Sequence, residues 1–235
     1  MSTDDERCLG RCTGDGAIMG LVVSLKGSLL VANPAMPDPN FDRTVVLLLA
    51  HEEGGALGVV LNRPSNLDVD SPLPRWEKLV ADPQVVFVGG PVAPGAAICL
   101  ARVPDQGDAA VHQDPGPADL WDEDGLPRAS GLSGGDEGPG GGWIPLVGDL
   151  GTLDLERDPE DLGVPVQAIR VFAGYAGWGP GQLEDEIAAG GWFVVTAEAG
   201  DALCSDPETL WKQVLRRQGG TLAVVAAYPP EPNLN

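Results

Sequence analysis

Residues 45–50, Val-Val-Leu-Leu-Leu-Ala, are apolar without interruption. Side chains alternate sides along an extended chain, so Val45, Leu47 and Leu49 share one face and Val46 and Leu48 the other. Both faces are apolar, which predicts a strand covered on both sides. Residues 44–51 and 56–62 are expected to pair as a hairpin across Glu52-Glu53-Gly54-Gly55, whose glycines permit the backbone of a tight turn. Shorter apolar runs at 28–32, 85–88, 96–103, 168–172, 192–196 and 221–228 read as further strands. Trp76, Leu79 and Val80, spaced i, i+3, i+4, predict a short helix over 75–81. Asp158-Pro159 reads as the cap and first residue of another. The clearest helix covers 207–217. Asp206 caps it, Pro207 opens it, Leu210, Trp211, Val214 and Leu215 form its buried stripe, and Gly219 stops it. Strands outnumber helices without alternating regularly with them, so the predicted class is α+β with much antiparallel pairing.

Charge narrows the functions open to such a fold. The chain has 235 residues with 35 Asp and Glu against 14 Lys and Arg, a net charge of −21. Neutralising phosphates requires clustered cations. The tight cluster here, Lys212, Arg216 and Arg217, is explained more simply as cations answering a helix C-terminus. Direct nucleic-acid binding and adsorption to anionic membranes are therefore both disfavoured. No apolar run approaches the ~20 residues that span a bilayer. The first residues are acidic where a signal peptide is basic, so a cytoplasmic protein is expected. The acidity is also uneven: residues 103–142 hold nine acids, one base (Arg128) and fifteen Gly and Pro. That stretch reads as a flexible insertion, and residues 1–24 as a mobile leader. Cys8 and Cys12 could face one way on a helix, but only His51 and His112 are available to complete a zinc site, so neither metal nor cofactor is expected.

Four segments carry a resemblance. They are GSLLVANPAMPDPNFDRTVVLLLAHEEGGALGVVLNRP at 27–64, VFVGGPVAP at 86–94, RVFAGYAGWGPGQLEDEIAAGGWFVV at 170–195, and AAYPPEPNLN at 226–235. In content and order they resemble the AlgH/YqgE family of bacterial proteins. The resemblance covers roughly residues 24–102 and 143–235, and the leader and the acidic insertion depart from it. It implies a mixed, largely antiparallel sheet curled into a pseudo-barrel with flanking helices, formed by a single domain over 25–235. It also implies a role as a transcriptional regulator, with no established activity attached.

Two constellations are candidate ligand or partner surfaces. The first is Gly174-Tyr-Ala-Gly-Trp-Gly-Pro-Gly-Gln-Leu183, a strand passing through glycines into a helix. Such a layout can cradle phosphate on backbone N–H groups. Glu184, Asp185 and Glu186 follow at once and already complement the helix dipole, so a tight turn is favoured, with Gly179 as cap and Gln182 reaching back to it. Tyr175, Trp178 and Gln182 are its candidate contact residues. The second is Asp42, Arg43, Asn62 and Arg63, which the hairpin gathers at one end of the sheet while His51 lies at the other. That separation argues against a histidine-based catalytic site, and no serine or threonine nearby has a placed base and orienting acid. The reading that follows is a non-enzymatic protein acting through contact with a protein partner. The alternative is a small-molecule-binding protein or enzyme with a pocket near residues 174–183.

Overall fold

The computed structural model describes residues 24–36, 38–69, 73–104 and 142–228. The leader up to residue 23, residues 105–141 of the acidic insertion, Cys8, Cys12, His112 and the last seven residues lie outside that description. Ten strands are described: β1 Ser28–Ala32, β2 Val45–Glu52, β3 Gly55–Val60, β4 Pro64–Asp68, β5 Val85–Val88, β6 Val92–Arg102, β7 Trp143–Val147, β8 Leu150–Leu153, β9 Ala168–Trp178 and β10 Trp192–Thr196. Three helices accompany them: α1 Gln182–Ala188, α2 Pro207–Gln218 and α3 Gly220–Val225.

The strands form one sheet in the order β10-β1-β2-β3-β9-β6-β8-β7, antiparallel throughout that path. β5 joins parallel to β9 and antiparallel to β4. The sheet curls into a half-barrel with the helices against it, the α+β architecture expected. Alternation sorts its side chains between cores. Leu29, Val31, Val45 and Leu47 face a central core closed by Trp211 and Leu215 of α2. Leu30, Val46, Leu48 and Val60 face an outer core with Trp178, Leu183 and Trp192. The doubly apolar β2 is thus buried on both sides, as its pattern requires. A third core, around Trp76, Cys99, Leu162 and Ile169, covers the far half of the sheet.

β9 crosses from one half of the sheet to the other, and glycine makes the crossing possible. Gly174 takes φ +70°, which side chains rarely adopt, and shifts the alternation by one. Phe172 and Tyr175, three apart, therefore both enter the central core. Gly90, after β5, lies so close to this bend that a Cβ would sit 2.1 Å from the Tyr175 carbonyl carbon. The backbone that approaches Gly89 and Gly90 closely is the chain's own.

Several elements differ from expectation. Residues 75–81 form only a 3-10 turn at Glu77–Leu79. Asp82-Pro83 disfavours helical backbone at Asp82, and Trp76 and Val80 are buried as the pattern implied. Asp158-Pro159 begins a turn, with the Asp161 N–H donating to the Asp158 carbonyl. Residues 221–228 do not form a strand. Gly219, at φ +70° and ψ −167°, ends α2 and redirects the chain into α3, where Val224 is left exposed. Asp206 precedes α2, but its carboxylate accepts from the Thr209 hydroxyl and caps no backbone N–H. β4 and β7 carry Pro64 and Pro145, which obscure them in the pattern.

Candidate functional site

The outer core opens to solvent where β9 ends. Three glycines fall between Gly177 and Gly181, and the chain turns there into α1. Gly181, at φ +74°, is the residue before the helix, and the Gln182 side-chain oxygen accepts from the Gly179 N–H at 3.1 Å. Gln182 therefore reaches back to Gly179 as its sequence suggested, but the cap is Gly181 and not Gly179, because α1 starts at Gln182 itself. One turn on, Gln182 donates to Glu186 Oε1 at 2.9 Å. Glu186 Oε2 accepts from two indoles, Trp178 Nε1 at 3.0 Å and Trp192 Nε1 at 2.8 Å. A half-buried carboxylate thus joins the end of β9, α1 and the start of β10. Each of its three donors is neutral.

Beside this clamp lies a groove of about 490 Å³. Its aromatic floor is Trp178 and Phe41, whose rings stack at 6.2 Å, while Trp192 meets both edge-on. The lining also includes Ala35, Met36, Pro91, Ala189, Gly190 and Gly191. The loop between β1 and β2 is held over the groove by Asn33. Its amide donates to the Gly190 carbonyl at 2.9 Å, and its backbone N–H to the Gly191 carbonyl at 2.9 Å. Asp38 and Glu186 are the charged residues of the lining, and no lysine, arginine or histidine lines it among the described residues.

The two sequence constellations are only partly brought together. Trp178 and Gln182 line the groove. Tyr175 lies in the central core instead. Asp42, Arg43, Asn62 and Arg63 do meet at one end of β2 and β3, in backbone-holding bonds. Asn62 accepts from the Val45 N–H and donates to the Arg43 carbonyl, each at 2.9 Å. Arg63 donates to the Asp42 carbonyl. Arg43, at φ +51°, donates to the Tyr228 carbonyl at 3.1 Å and lies 4.9 Å from the Trp211 ring centroid, on the central-core side. His51 pairs with Ala56 across the hairpin, at the other end. Its Nδ1 accepts from the Leu25 N–H at 2.9 Å, which assigns the proton to Nε2, and Nε2 donates to Glu184 Oε1 at 2.7 Å. Both ring nitrogens are engaged.

Arg170, Asp38, Phe41 and Glu186 were not singled out by sequence. Arg170 is buried near the start of β9 and donates to the carbonyls of Asp82, Ala202 and Cys204, with its guanidinium 4.4 Å from the Phe87 ring centroid. Burial lowers its pKa to about 10, against the opposing pull of Cys204 and Asp82. An arginine inside the apolar run 168–172 was the available signal. Among the described residues, no three His, Cys, Asp or Glu side chains are grouped as a metal site would need.

The family model described as DUF179, AlgH-like, matches residues 29–125 and 147–223. The chain belongs to this family. The break in the match, at 126–146, falls late in the acidic segment and just past it, so the first part of that segment aligns with the family. Among curated relatives, a UPF0301 protein of Streptomyces avermitilis is 49% identical over 214 residues, covering 91% of this chain and 97% of the relative. One from Mycobacteroides abscessus is 38% identical over 236 residues, covering both chains in full. A crystal structure of a Corynebacterium diphtheriae protein superposes with a TM-score of 0.69 at 29% identity, covering 86% of this chain and 92% of that one. The solution structure of the AlgH protein from Pseudomonas aeruginosa gives a TM-score of 0.56 at 24% identity over 88% and 96%, a likeness of fold. The AlgH-like family is therefore supported by sequence and by fold alike. No helix among the described residues is long and apolar enough to cross a membrane.

Proposed function

We propose that this AlgH-like chain is a cytoplasmic, non-enzymatic binding protein that receives part of a protein partner in the Trp178 groove. The observation that carries this reading is the groove. At about 490 Å³ it has the size of a ligand pocket, an apolar aromatic floor, and a few polar groups, Asn33 and Asp38 from the β1–β2 loop and Gln182 and Glu186 from α1. The state of His51, and of Cys99 in the third core away from the groove, supports binding over catalysis. His51 spends both ring nitrogens on Leu25 and Glu184. Cys99 is buried among apolar neighbours, which pushes its thiol pKa far up and away from the reactive thiolate. A regulatory role of the kind the family name suggests would then run through partner contact. Direct DNA contact is the weaker route, since Arg217 of the basic cluster is held by both Asp201 oxygens at 2.8 Å.

A thermal-shift panel of apolar and amphiphilic compounds tests the groove. A compound at 100 times its Kd adds ~2.7 kcal/mol to stability, well within detection. Hits are expected to vanish in Ala189→Trp, which fills the groove from its exposed rim, and to persist in Arg43→Ala. Hits that survive Ala189→Trp would refute the groove as the binding site.

A further inference from the structure

Resting on the reading of the groove as a binding site, we infer that its occupant is a basic side chain, arginine above all, carried on an apolar segment of a partner protein. The charge of the lining points this way. Asp38 and Glu186 are its charged residues, and Glu184 and Asp185 lie exposed on the same helix as Glu186. A phosphate or carboxylate entering here meets like charge.

Glu186 is the group placed to meet the cation. Its carboxylate is half-buried and accepts from Trp178, Trp192 and Gln182, all of them neutral donors. Those bonds orient the group and leave its charge uncancelled. Two carboxylate oxygens offer about four acceptor positions, of which three are taken, so one remains for a ligand N–H. A guanidinium suits this place better than an ammonium. It is planar, less strongly hydrated, and stacks on aromatic faces, and half-buried Phe41 lies in the groove floor. The rest of the lining specifies what flanks the cation. Met36, Ala35, Ala189 and Pro91 offer apolar surface, with Met36 able to adapt its shape. The net charge of −21 adds long-range attraction for a basic partner.

The test uses NMR titration of the full chain, read at the indole N–H signals of Trp178 and Trp192, which report directly on Glu186. The probes are a capped peptide with one arginine between two leucines, its twin with neutral citrulline in place of arginine, and free butylguanidinium. The arginine peptide is expected to move both indole signals and to bind at least about tenfold tighter than the citrulline twin. Glu186→Gln is expected to remove that preference, and Asp38→Asn, at the exposed rim, to reduce it about two- to threefold. Should Glu186→Gln fail to fold, the comparison of the twins on the unmodified chain and the Asp38→Asn variant still decide. Equal binding of the twins would overturn the cation assignment while leaving the groove as an apolar binding site. Butylguanidinium binding as tightly as the peptide would overturn the assignment to a partner protein. If no probe acts at about 1 mM, the weak end of useful affinity, and the compound panel is also silent, both readings fall.

Discussion

At the scale of single residues, the polar groups of this molecule divide between holding the backbone and lining the groove. Arg170 belongs to the first kind. Its three carbonyl partners come from segments 32, 34 and 88 residues away, so one side chain ties β9 to two distant loops. Arg170→Met is expected to lower stability by about 3 kcal/mol, because buried carbonyls lose their donors; a denaturant titration measures it. The folded Arg170 pKa of about 10 lies below the ordinary 12.5, so the cost of burying the charge is present in full below about pH 10 and is relieved only above it. No pH dependence from Arg170 is therefore expected between pH 5 and 9, the range in which urea midpoints of the parent and Arg170→Met should shift in parallel. Arg43 also holds the backbone, through Tyr228 and Trp211. Arg43→Ala is expected to cost about 1 kcal/mol in a thermal melt and to leave groove binding unchanged. Glu186 belongs to the second kind, yet its loss also frees two indole N–H groups. Glu186→Ala is expected to cost about 1–3 kcal/mol, at the lower end where water from the groove replaces the carboxylate.

At the scale of elements, legibility followed the strength of the hydrophobic pattern. The strands at 28–32, 85–88 and 192–196 have the boundaries their apolar runs implied. β9 runs six residues past the predicted end at Phe172, because Gly174 and Gly177 read as punctuation while they in fact let the strand bend and continue. Val224 and Val225 favour extended chain and so predict a strand, while the positive-φ backbone of Gly219 and Gly220 redirects the chain into α3. The candidate site was half legible. Trp178 and Gln182 belong to the strand–turn–helix that the glycines announced. The rest of the lining comes from the loop of Asn33, Met36, Asp38 and Phe41, and nothing local in that loop says which distant element it will cover. The arginines looked like ligand groups because charge stands out in a sequence, while the carbonyls they serve do not. The bend in β9 has its own test. Gly90→Ala is expected to cost more than about 3 kcal/mol or to prevent folding, since its Cβ would collide with the Tyr175 backbone; soluble yield and the chemical-denaturation midpoint measure it.

At the scale of the whole molecule, charge and shape point to the same kind of partner. A protein of net charge −21 repels nucleic acid, and its basic cluster at the end of α2 is partly spent on Asp201 and Glu198. No nanomolar, sequence-selective DNA complex is expected at ~150 mM salt, which an electrophoretic mobility assay measures. The half-barrel leaves its outer core open along one rim, and there the aromatic floor, the clamped carboxylate and the acidic face of α1 lie together. The measurement that bears most directly on this account is the indole region of the NMR spectrum during titration with the arginine peptide. The Trp178 and Trp192 signals are expected to move together and saturate, while Trp211, whose indole donates to the Ala32 carbonyl in the buried interior, stays still. Saturable binding that moves Trp211 and leaves the Glu186 pair unmoved would contradict the account, because the partner would then be engaging another surface.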